Sequence, residues 1–76
     1  MNNIKIIGAS GKAYTIGANI RKYRKRFGWS QKNLAEEAEV SLSKISRWEN
    51  NIGEPTVSEA CKIMYVLDIS FENLIE

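Results

Sequence analysis

The stretch SQKNLAEEAEVSLSKISRWE, residues 30–49, decides how the chain folds. Ser30 and Ser41 each stand one residue before an apolar-periodic run, where a serine oxygen can satisfy the free N–H groups of a first helical turn. The first run predicts a helix of roughly two turns from Gln31, with Leu34, Ala35 and Ala38 on a narrow apolar face. It stops near Glu39. The second run predicts a helix from Leu42, in which Ile45 and Trp48 point inward while Leu42, Ser43, Lys44 and Arg47 lie elsewhere. A tight turn across Glu39 to Ser41 joins the two. Ala35 falls where they cross, since a larger side chain would push them apart, and Val40 with Ile45 plugs the space beneath the turn.

The same residues raise a catalytic reading, because Ser41 and Lys44 have the S-x-x-K spacing in which a lysine can activate a serine nucleophile. That chemistry needs a desolvated lysine at the base of a cleft and an oxyanion hole. A chain of 76 residues buries only about 60% of its unfolded surface and has little room for either. The absence of histidine removes the commonest general base and the commonest transition-metal ligand together. Glu36, Glu37 and Glu39 lie on a short surface helix with no evident pocket to raise a pKa, so they read as solvated charges. Cys61, the single cysteine, excludes an intramolecular disulfide and suits a reducing compartment. No enzyme, metal or cofactor is expected.

Working outward, 43% apolar and 26% charged residues describe one small globular domain. No apolar run approaches the ~20 residues of a membrane span, and IKII at residues 4–7 is too short for a signal-peptide core, so a cytoplasmic protein is expected. The net charge of +2 conceals a division: residues 1–35 carry eight cations and no acid, and residues 36–76 carry three cations against nine acids. Such segregation suggests one face for a polyanion and another that avoids it.

Residues 1–14 read as an N-terminal extended arm, a short β-prone run followed by the loop-like GASGKAY. IIGASGK falls short of a phosphate-binding loop, because Ile6 occupies the place of its first glycine and Ala13 that of its hydroxyl. From Thr15 the period is helical, with Ile16, Ile20, Tyr23 and Phe27 on one stripe. Gly28 is placed to end this helix in a left-handed cap, and Trp29 to staple the entry to the next. Pro55 and Thr56 announce a fourth helix, with a capping box from Thr56 to Glu59 and a buried stripe of Val57, Ala60, Cys61, Met64 and Leu67. Asp68 breaks that pattern, and Ser70 caps a last short helix bearing Phe71, Leu74 and Ile75. The expected fold is all-α: a compact five-helix domain over residues 15–76.

A helix, a tight turn and a second helix across residues 31–49 make a helix-turn-helix, whose second helix enters the DNA major groove. Residues 16–75 resemble the phage-repressor or Cro-type (Xre-like) helix-turn-helix family, with WSQKNLA, VSLSKISRWE and EPT in family order and spacing. The resemblance implies a repressor-like fold and places Gln31 at a phosphate-clamping position, with Ser30 as cap. It matches Leu42, Ser43 and Arg47 to positions that face base edges, with Lys44 among them, and Arg24 and Glu49 to an ion pair tying the first helix to the end of the third. Three positions depart from the family pattern. Glu39 stands where glycine is usual in the turn, Asn33 replaces the acid of a capping box with Ser30, and Asn51 replaces a glycine.

These observations lead to the expectation of a sequence-specific regulator of transcription that binds double-stranded DNA. Ser30, Gln31, Lys32, Arg21, Lys22 and Lys25 are the candidate phosphate contacts, and Leu42, Ser43, Lys44 and Arg47 the candidate base contacts. One recognition helix spans few base pairs, so a homodimer is expected, with Val66, Ile69, Phe71, Leu74 and Ile75 as its candidate seam. The other role for that seam is closure of the monomer core. Trp48 likewise has two roles open to it, core packing or a stacking platform, and its register with Ile45 favours the core. The rival function is a protein-interaction module, such as an antitoxin whose main partner is another protein.

Overall fold

A computed structural model describes residues 16–76; the expected arm, the IIGASGK segment and Thr15 lie outside the described residues. Five helices follow one another, α1 (Ile16–Phe27), α2 (Gln31–Ala38), α3 (Leu42–Glu49), α4 (Val57–Leu67) and α5 (Phe71–Ile75), and there is no strand among the described residues. Side-chain oxygens define the starts of four. Ser30, Ser41, Thr56 and Ser70 each hold extended backbone and accept a hydrogen bond from the N–H three residues on. Asn33 replaces an acid without loss of the capping box, since its Oδ1 accepts the Ser30 N–H at 3.3 Å while its own N–H donates to Ser30 Oγ at 3.0 Å.

The core takes one fully enclosed large side chain from every helix: Ile20, Leu34, Ile45, Ile63 and Leu74. Burial of each stabilises the fold by about 1.5–3 kcal/mol. Ala35, Ala38, Trp48 and Leu67 complete this cluster, with Val40 and Trp29 packed at its edge. Trp48, at 3% exposure, is a core residue and no stacking platform. The motif helices α2 and α3 pack on each other, α1 backs α3, and α4 and α5 close the opposite side against α2 and α1.

Three expected stripes require correction. On α4 the inward residues are Ile63 and Leu67, with Ala60 and Met64 partly buried, whereas Val57 is 82% exposed and Cys61 is exposed. Apolar residues ring this helix, so two registers satisfy a helical period and only contact with α2 and α1 selects one. Cys61 is therefore no packed thiol. On α1, Phe27 lies half-exposed, edge-on to Trp29 with ring centroids 4.5 Å apart, and the buried face includes the polar Asn19 and Arg24. On α5, Leu74 is wholly enclosed and its carbonyl accepts a hydrogen bond from Asn19 Nδ2 at 2.6 Å. Leu74 thus closes the monomer core and leaves the proposed dimer seam.

Gly17, in the first turn of α1, reflects a close approach of two backbones. A Cβ there would stand 1.6 Å from the Trp48 carbonyl oxygen, at the end of α3, where neither partner is a flexible side chain. In the turn between α2 and α3, Glu39 adopts φ 58° and ψ 43°, the left-handed conformation that costs a side-chain-bearing residue about 1 kcal/mol. Its N–H and that of Val40 close the end of α2 on the carbonyls of Glu36 and Ala35. Thermal unfolding should separate these sites. Gly17→Ala is expected to cost about 3 kcal/mol, the upper end of core overpacking, while Glu39→Gly is expected to raise the melting temperature; a fall for Glu39→Gly would refute strain at that turn.

Candidate nucleic-acid interface

Helix α3 is divided lengthwise by its period. Ile45, Trp48 and Glu49 face the protein, and Leu42, Ser43, Lys44 and Arg47 are exposed, Leu42 to 46% despite its apolar side chain. Ser41 Oγ accepts the Lys44 N–H at 3.1 Å, so this serine is committed to capping, and the S-x-x-K pair has no catalytic arrangement. Neither α2 nor α3 has an acid in its first turn, which leaves the positive ends of both helix dipoles without a first-turn carboxylate. Helices α1 and α2 carry further exposed basic side chains. Arg21, Lys22, Lys25, Arg26 and Lys32 are exposed, and among the described residues none pairs with a carboxylate. Lys22 Nζ and the Arg26 guanidinium stand 4.9 and 5.4 Å from the ring centroid of Tyr23, near enough for cation–π attraction.

A buried network fixes this surface to the core. Arg24 donates from Nε to Glu49 Oε2 at 2.7 Å, from Nη2 to Glu49 Oε1 at 2.8 Å and from Nη1 to the Trp29 carbonyl at 2.8 Å. The hydrogen bond to Glu49 holds the Arg24 pKa above its ordinary value against the opposing effect of burial. Arg24 is thus structural, unlike its exposed basic neighbours. Gln31 joins the network, its Nε2 donating to Glu49 Oε1 at 3.0 Å. The carboxylate accepts only hydrogens, so it orients the Gln31 amide and leaves one N–H of that nitrogen for another acceptor.

Lys44, expected among the base contacts, makes an ion pair within the protein. Its ammonium is turned to α4, 2.6 Å from Glu59 Oε2, whose other oxygen accepts the Thr56 N–H at 2.9 Å as part of the α4 capping box. The hydrogen bond from Lys44, then that from the Thr56 backbone, lowers the Glu59 pKa below its usual value. No sequence signal paired Lys44 with Glu59, fifteen residues apart, or Gln31 with Glu49, eighteen apart. Asn19 and Gly17 were passed over as well, although a polar residue and a glycine within an otherwise helical pattern are signals that could have found them.

Three stacked features, the capped α2, the left-handed turn and the half-exposed α3, define the chain as a helix-turn-helix protein. It belongs to the Xre/Cro-like helix-turn-helix family, whose helix-turn-helix model matches residues 20–74. It is similar to the HTH-type transcriptional regulator SinR of Bacillus subtilis, 39% identical over 62 residues, which are 80% of this chain and 56% of that protein. The HTH-type transcriptional regulator DicA of Escherichia coli is 36% identical over 59 residues, 78% of this chain and 44% of DicA. The chain thus spans about half the length of these relatives. Among solved structures, SinR in complex with DNA, described as the master regulator for biofilm formation, matches with a TM-score of 0.77 at 38% identity, covering 82% of this chain and all of that one.

Breaking the buried pair from one side should be costly. Glu49→Ala is expected to lower stability in urea by about 3–5 kcal/mol, because it strands a buried guanidinium. The double change Arg24→Met with Glu49→Leu should recover most of that loss, and equal losses for the single and double variants would show that the pair is not the cause.

Proposed function

We propose that this chain binds duplex DNA sequence-specifically and regulates transcription, with α3 in the major groove. The observation that carries the reading is the exposure of the first turn of α3 while Ile45 and Trp48 anchor the same helix in the core. Structure similarity to SinR in complex with DNA supports it. Arg47 is suited to guanine O6 and N7, and Leu42 to a thymine methyl, with Ser43 between them. Gln31, the Ser30-capped start of α2, and Lys32, Arg21, Lys22 and Lys25 would hold the phosphates, contributing affinity but little discrimination.

The chain would act as a homodimer, presenting two copies of α3 to half-sites one DNA turn apart. With Leu74 enclosed, the seam reduces to Phe71, 58% exposed, flanked by the partly buried Val66, Ile69 and Ile75. No described helix is long and apolar enough to cross a membrane, and a cytoplasmic site of action follows from the proposed DNA partner.

Selection of binding sites from random duplex DNA at fixed salt tests both parts. A two-fold symmetric site is expected; enrichment of no sequence would reject specific recognition, and an asymmetric single half-site would reject the dimer. On the selected site, Arg47→Ala should cost about 1–3 kcal/mol and relax preference at one base pair. Equal weakening on selected and random duplex would reduce Arg47 to a phosphate contact.

A further inference from the structure

Lys44 and Glu59 form a contact that neither capping nor core packing requires. Lys44 is the third residue of the exposed first turn of α3, beside Leu42 and Ser43, and a free ammonium there would stand at the DNA surface. Its Nζ is instead 2.6 Å from Glu59 Oε2, with the two side chains 49% and 16% exposed. The acid is held in place independently of the lysine, because its Oε1 accepts the Thr56 N–H while the Glu59 N–H donates to Thr56 Oγ1. A fixed carboxylate therefore faces the only basic side chain in the first turn of α3.

We propose that Glu59 is a specificity-determining residue, withholding the Lys44 ammonium from DNA phosphates so that the first turn of α3 contributes little sequence-independent attraction. This rests on the DNA-binding reading above. A lysine free to meet a phosphate releases a counterion on any sequence, strengthening binding to random duplex as much as to the correct site. Neutralised by Glu59, that turn leaves discrimination to Leu42, Ser43 and Arg47. The ion pair is accessible to solvent and correspondingly weak, so loss of the carboxylate charge is enough to release the lysine.

The test is the salt dependence of affinity for a short random-sequence duplex, measured by fluorescence anisotropy with the full chain. Glu59→Gln keeps a side chain able to serve in the capping box. It is expected to steepen the log–log salt slope by about 0.9 per chain bound, widening the affinity ratio between about 50 and 200 mM salt by about 3–4-fold. Lys44→Met should match the wild type in slope, and Lys44→Met with Glu59→Gln should match Lys44→Met alone. An unchanged slope in Glu59→Gln overturns the proposal. So does a gain that persists without Lys44, which would mark Glu59 as a repelling charge only, or a shallower slope in Lys44→Met, which would place the lysine on phosphate already. Absence of any duplex binding by the wild type would reject the DNA-binding reading itself and the role of Glu59 with it; binding with one of the three contrary patterns rejects only the latter.

Discussion

The bidentate pair between Arg24 and Glu49 is the constraint on which the rest of the molecule depends. Arg24 lies on α1 and Glu49 on the last turn of α3, and the third arm of the guanidinium reaches the Trp29 carbonyl just before α2. Gln31, at the start of α2, completes the set through Glu49. Three helices that supply the exposed basic and reading surfaces are thereby fixed at one point. At 7% and 6% exposure both charges are largely withdrawn from water, so the geometry is held by the cost of leaving it. An apolar contact at the same place would resist separation without specifying an angle. Here the fork of the guanidinium demands one orientation of the carboxylate plane.

Gly17 enforces the same junction by steric means. With no Cβ on α1, the Trp48 carbonyl can come within a distance that any other residue would forbid. The two devices act on neighbouring residues at the end of α3, Trp48 and Glu49, and both originate on α1. A helix presented to solvent along one whole face has less apolar area with which to hold itself down, and α3 is only eight residues long. Its rigidity must come from its ends and its inner face. Ile45 and Trp48 supply the face, Arg24 and Gly17 the far end, and the Ser41 cap with the left-handed Glu39 the near end.

How much of this was legible in the sequence follows from whether the signal was local. Helix starts were legible at Ser30, Ser41, Thr56 and Ser70, because a cap acts within three residues and leaves its mark there. The left-handed turn at Glu39 was reached by family resemblance, through the glycine usual at that position, because a glutamate carries no mark of its own for that conformation. The inward face of α4 was not legible, since Val57, Cys61 and Tyr65 repeat at the same helical spacing as residues that are buried. Direction of burial belongs to the packing of α2 and α1 against that helix and is absent from its own period. The same holds for Leu74, whose place in the core is set by Asn19, 55 residues away. The Arg24–Glu49 pair was reached by family resemblance, whereas spacing alone offers no reason to join residues 25 positions apart.

The two ion pairs at opposite ends of α3 show how one chemistry takes two roles according to solvent. Arg24–Glu49 and Lys44–Glu59 have nearly equal lengths, 2.7 and 2.6 Å. The first is enclosed, multiply bonded and built from a planar cation, so that parting it would strand a charge in the core. The second is half in water and built from a flexible ammonium on a single contact, where separation costs little. A contact that cannot exchange suits the end of α3 that must stay still. A contact half in water suits the end where loss of one charge must leave the fold intact. Two acids of the second half, Glu49 on α3 and Glu59 on α4, each hold a cation at one end of α3.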